Sequence, residues 1–135
     1  ARFKNILRCI GFEMKLTKNF SLSEFACNDG SEFPLDVIEN IKELAINLQI
    51  LRDYIAMPIA INSGYRSPAH NAKIGGVKNS QHLTGMAGDL KTALPPIAIG
   101  EAIEFLIKSG QMKQGGIGVY RTFVHYDIRG RRARW

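Results

Sequence analysis

The chain has 135 residues, 45% of them hydrophobic and 22% charged, which is enough for one domain with its own core and far from the composition of a disordered segment. Its two cysteines, Cys9 and Cys27, show no CxxC spacing and no sequence cluster with the three histidines, which argues against a disulfide framework and a zinc finger. The net charge of +6, much of it in the final RGRRARW, suits an anionic polymer, but aromatics do not interleave with the basic residues as a single-strand stacking platform requires, so no nucleic acid is expected as principal partner.

No stretch approaches the roughly 18 apolar residues of a membrane span, and the N-terminus lacks the uninterrupted apolar core of a signal peptide. Residues 1–13 precede Met14 and read as an N-terminal extension; residues 14–135 are the expected domain. Ser21 and Glu24 stand at capping-box spacing before a short helix that Asn28, Asp29 and Gly30 end. From Pro34 the apolar residues Val37, Ile38, Ile41, Leu44, Ala45, Leu48, Leu51 and Ile55 recur at three- and four-residue spacing, which predicts the longest helix. Its carboxylates, Asp36, Glu39, Glu43 and Asp53, fall mostly off that stripe and read as a solvated face.

Pro58 stops this helix, and Ile59 to Asn62 reads as a short strand. A loop follows, SGYRSPAHNAKIGG, in which Pro68 starts a short helix and Gly75 with Gly76 ends it. Arg66 in this loop would present a planar fork to a carboxylate or a developing oxyanion; its alternative is a surface arginine tying down the loop. His70 reads as a capping or surface residue. Next, SQHLTGMAGDL sets His82 and Asp89 on either side of Gly85 and Gly88, so that the backbone can turn and bring imidazole and carboxylate together. MAGDLK reads as a strand with Ala87, Asp89 and Lys91 on one face. Pro95 and Pro96 introduce a second amphipathic helix closed by Gly110, and GGIGVY with FVHYDI reads as a hairpin whose second strand puts Phe123, His125 and Asp127 on one face. Helices beside short strands predict an α+β fold with a mainly antiparallel sheet.

His82, Asp89 and His125 are the candidate zinc ligands, since a catalytic zinc takes three protein groups and keeps a fourth position open. HExxH is absent. Taken alone, each pair of ligands is weak; what links them is that both polar clusters lie where strands meet glycine-rich turns.

SGYRSPAHN, GGVKNSQHLTGMAGDL and GIGVYRTFVHYDIRG, in this order, resemble the zinc D-alanyl-D-alanine carboxypeptidases and related peptidoglycan peptidases, in particular their short single-domain members. The resemblance runs from about Phe20 to Trp135. It implies the hedgehog/D,D-peptidase fold, with one zinc ion on His82, Asp89 and His125, and Arg66 polarising the substrate carbonyl or stabilising the oxyanion. It implies hydrolysis of amide bonds in peptidoglycan stem peptides by a carboxypeptidase or endopeptidase. A phage or prophage lysin, made in the cytoplasm and acting on the bacterial wall, would fit the lack of an export signal.

Several enzymes of this kind carry an acid three positions before the last zinc histidine, where this chain has Thr122. Asp127 is then the local carboxylate assigned as general base. The alternative for Asp127 is an orienting partner of a zinc histidine, or a salt bridge to Arg129 or Arg131. The Thr122 departure also keeps a second reading open, a cell-wall-binding module that retains the peptidase fold and zinc without turnover.

Overall fold

Residues 14–135 are described by the computed structural model; the N-terminal extension expected over 1–13 lies outside the described residues. The capping-box sequence forms a 3-10 turn at Leu22–Phe25, closed by the Ser21 N–H donating to Glu24 Oε2 at 2.7 Å. The long helix, α1, spans Leu35–Ile55 and buries the predicted stripe from Val37 to Leu51. It stops two residues ahead of the expected proline break, because Ala56 adopts a left-handed conformation and its N–H bonds the Arg52 carbonyl. The off-stripe carboxylates do face solvent: Glu43 pairs with Lys113 at 2.6 Å and Asp53 accepts from Gln49 at 2.9 Å.

Strand β1 is Ala60–Ser63, the short helix α2 is Pro68–Lys73, β2 is Ala87–Lys91 and helix α3 is Pro96–Lys108. The hairpin consists of β3, Gly116–Val119, and β4, Val124–Asp127. A fifth strand, β5, at Ala133–Arg134 pairs parallel to β3. The sheet order is β1-β2-β4-β3-β5, with every pairing except the last antiparallel. The sequence marks the RGRRARW segment only by its positive charge, and two residues carry no alternation that would reveal a strand. What holds β5 is long-range: Arg134 grips Glu104 of α3 through two bonds of 2.7 and 2.8 Å, and Trp135 exchanges backbone bonds with β3.

Strand alternation divides the sheet into two faces. Leu90, Val124, Tyr126 and Ile117 point to the core shared with Leu44 and Leu48 of α1 and Ile103 and Leu106 of α3. The opposite face carries one cross-strand row, Ser63 beside Asp89, Asp89 beside His125 and His125 beside Gly118. Helices therefore support one side while the other is left to polar chemistry.

Gly85 links the site to this core. It has φ +76, and a Cβ there would lie 2.8 Å from Val37 Cγ1 and 2.9 Å from the Val37 carbonyl oxygen. Gly85→Ala is expected to destabilise the fold by on the order of 3 kcal/mol, from left-handed strain plus overpacking, measurable by denaturant unfolding. A loss below about 0.5 kcal/mol would mean that the turn yields without strain.

Candidate metal centre

Ser80 starts a second 3-10 turn, Gln81–Thr84, by accepting the His82 N–H on its hydroxyl at 3.2 Å. Gly85 then reverses the chain so that it enters β2 and presents Asp89 toward the His82 ring. Asp89 and His125 are register partners on adjacent strands, so the pleat sends both side chains the same way. His82 Nε2 lies 3.2 Å from Asp89 Oδ1, and His125 Nδ1 lies 3.3 Å from the same oxygen. All three side chains are buried, and one ligand atom from each lies within 4.8 Å of the others.

The remaining nitrogens decide what this point can hold. His82 Nδ1 is 2.7 Å from the Gly64 carbonyl, so its N–H donates there and Nε2 carries a lone pair. His125 Nε2 is 2.6 Å from Asp127 Oδ2 and donates to it, which leaves the lone pair on Nδ1. Two imidazole nitrogens and a carboxylate oxygen thus converge on one point, an arrangement suited to a cation. A divalent metal of zinc type fits the donor set, and each histidine has the far-side acceptor that metal-binding histidines use to fix their tautomer. Burial pushes the His125 pKa down, but the hydrogen bonds to Asp127 and Asp89 outweigh it and raise it above the ordinary histidine value. Asp89 is likewise drawn up by burial and pulled further down by the two imidazoles, ending well below the usual carboxylate range.

The family model for Peptidase M15 matches residues 18–127. The chain belongs to the peptidase M15 family. This is the zinc D-Ala-D-Ala carboxypeptidase type to which its motifs pointed, and membership makes the protein a metallopeptidase by family. No curated protein matches the chain.

In this M15 peptidase Arg66 stands beside the three candidate ligands. Its Nη2 donates to Asp89 Oδ2 at 3.3 Å, its Nε to Ser63 Oγ at 3.2 Å and its Nη1 to Asn71 Oδ1 at 3.3 Å. The loop that carries it is anchored on both sides, by the Tyr65 N–H to the Phe25 carbonyl at 2.9 Å and the Arg66 N–H to the His82 carbonyl at 3.0 Å. Thr122 is exposed at the hairpin turn.

Asp127 is placed differently from its assignment as general base. Its side chain is fully enclosed and lies behind His125, on the nitrogen away from the metal point. Arg129 clamps both carboxylate oxygens at 2.8 Å each, and the Gly116 N–H donates to Oδ1 at 2.9 Å. Burial alone would raise the Asp127 pKa, but the bonds from His125, Arg129 and Gly116 outweigh it and hold the group ionised far below the usual range. This is the orienting geometry, with Arg129 rather than Arg131 as the ion-pair partner.

A cleft of about 420 Å³ opens over the three candidate ligands and is walled by Arg66, Gln81, Tyr120, Phe123, Arg129 and Trp135. Trp135 leans on His125 with ring centroids 4.9 Å apart and donates from its indole N–H to Tyr120 Oη at 2.6 Å. Gly118 makes room for it, since a Cβ there would meet the indole at 2.5 Å. Sequence reasoning missed this aromatic wall. The GIG of β3 was a usable signal, because a glycine inside a strand often marks the close approach of another group.

Proposed function

We propose that this M15 peptidase uses one zinc ion on His82, Asp89 and His125 to hydrolyse amide bonds in peptidoglycan stem peptides, as a D,D-carboxypeptidase or endopeptidase. The observation that carries the reading is the convergence of three buried ligand atoms at the floor of an open cleft, with an arginine beside them. Zinc bound there supplies Lewis acidity and a nucleophile at neutral pH. The chain's own residues do the rest. A guanidinium has five N–H groups; three of Arg66 are held by Ser63, Asn71 and Asp89, and the remainder are free to bind the scissile carbonyl and strengthen as negative charge develops on its oxygen. Asp127 acts as a positioning residue, holding His125 by Nε2 so that Nδ1 faces the metal point. The Trp135, Tyr120 and Phe123 wall offers apolar surface to the peptide, and the basic chain suits an anionic wall polymer.

Mass analysis of purified peptidoglycan after digestion tests this reading and identifies the bond. Stem-peptide fragments are expected from the zinc-loaded protein and not after chelation. One specific observation favours the second reading, a wall-binding module without turnover: among the described residues lining the cleft, the only carboxylate is the ligand Asp89. Intact wall peptides after prolonged incubation, together with retention of the protein on the wall, would select that module.

A further inference from the structure

A second set of metal-ligating side chains lies outside the cleft. Cys27 follows the first 3-10 turn, Asp29 comes two residues later, and His70 lies in the first turn of α2. A sulfur, a carboxylate oxygen and a ring nitrogen from these three residues lie within 4.8 Å of one another. Cys27 and the histidines look unrelated along the sequence, and His70 reads there as a capping or surface residue; folding brings the two together across the SGYRS loop.

Ser67 ties the three together. Its backbone N–H donates to Cys27 Sγ at 3.4 Å, its hydroxyl donates to Asp29 Oδ2 at 2.8 Å, and the same hydroxyl accepts the His70 N–H at 3.1 Å. The thiolate is the form of a cysteine that ligates metal. Asp29 stays ionised, since hydrogen bonds from Cys27, Ser31 and Ser67 hold its pKa well below the usual carboxylate range. Neither ring nitrogen of His70 has a hydrogen-bond partner among the described residues. The Cys27 thiol donates to the Ser67 hydroxyl oxygen at 3.9 Å.

We propose that Cys27, Asp29 and His70 form a second metal site, for zinc or another thiolate-preferring divalent ion, which staples the Arg66 loop to the segment before α1. The sulfur ligand selects against magnesium and calcium, which take oxygen ligands. The three side chains supply three ligands, and the exposed Asp29 side leaves the fourth position to solvent. The ion would tie the C-terminal flank of the loop, whose Gly64 carbonyl orients His82 and whose Arg66 faces the cleft, to the segment before α1. It is therefore structural support for the cleft rather than part of its chemistry.

The test uses the full chain in a Cys9→Ser background, so that Cys27 is the only thiol. After zinc loading and dialysis, two metal equivalents per chain are expected, falling to one in His82→Ala and to none when His70→Ala is added. Cobalt loaded into His82→Ala is expected to show thiolate-to-metal charge-transfer absorption, lost on adding either His70→Ala or Cys27→Ser. Circular dichroism confirms folding, and His70→Ala, which removes a partly exposed ring, provides the reading if Cys27→Ser does not fold. His125→Ala can replace His82→Ala as the cleft-site knockout. A cleft-site knockout that holds no metal, or whose bound cobalt shows no thiolate absorption, would overturn the second site. Neither outcome depends on peptide hydrolysis, so failure here is distinguishable from failure of the proposed activity.

Discussion

His82→Ala is expected to release one metal equivalent and to lower peptide hydrolysis on the order of 10³-fold or more, since the metal's contribution to such reactions is worth several kcal/mol. Losing the ring deletes one of the three converging donors and also leaves the Gly64 carbonyl without the N–H it accepts at 2.7 Å. That second effect costs about 1–3 kcal/mol of stability. Metal content by mass spectrometry, read beside activity and thermal unfolding, separates the two consequences. A variant that keeps its full metal content and its turnover would show that the reaction runs without this ligand.

Asp127→Ala is expected to destabilise the protein by about 3–5 kcal/mol and to weaken cleft-metal binding about 10- to 100-fold. The stability loss comes from what stays behind. Arg129, the Gly116 N–H and the His125 Nε2–H all point at a carboxylate that is completely buried. The metal effect arises because an unheld imidazole is free to change tautomer and turn Nδ1 away. A dedicated base would behave differently, since its removal would abolish turnover while sparing metal affinity and unfolding. Metal titration and denaturant unfolding of Asp127→Ala and Asp127→Asn therefore decide between the two roles.

The pH dependence of that stability follows from the same contacts. Because the folded-state pKa of Asp127 is depressed, its contribution is fully present above the ordinary aspartate value near ~3.9 and is lost as pH falls toward the folded value. The stability gap between the unmutated protein and Asp127→Asn should accordingly narrow only in acid, below about pH 4.

Local pattern carried much of the architecture. The α1 stripe, the glycine-punctuated SGYRS loop and the alternation of MAGDLK and FVHYDI are short-range signals, and the structure forms α1, β2 and the hairpin close to the expected positions. The shared face of Asp89 and His125 was also readable, because a strand's period of two assigns each residue a side. What alternation cannot give is depth. Asp127 shares a face with His125, yet Arg129 and Gly116 draw its carboxylate behind the imidazole instead of into the cleft. β5 and the Trp135 wall depend on Arg134 reaching Glu104 across the fold, and the Cys27 and His70 pairing depends on β1 bringing a distant loop beside the N-terminal turn. Neither contact leaves a periodic trace in the chain.

The strand order has a kinetic consequence. β2 and β4 are neighbours in the sheet, but α3 and β3 intervene between them in the chain. Asp89 and His125 therefore meet only after that long excursion has closed, with its cost in chain entropy already met by the core. An ion at this point joins late, when the sheet is essentially assembled. Its occupancy should leave the folding limb of a chevron almost unmoved and slow the unfolding limb, making the bound ion a brake on the opening of β2 from β4.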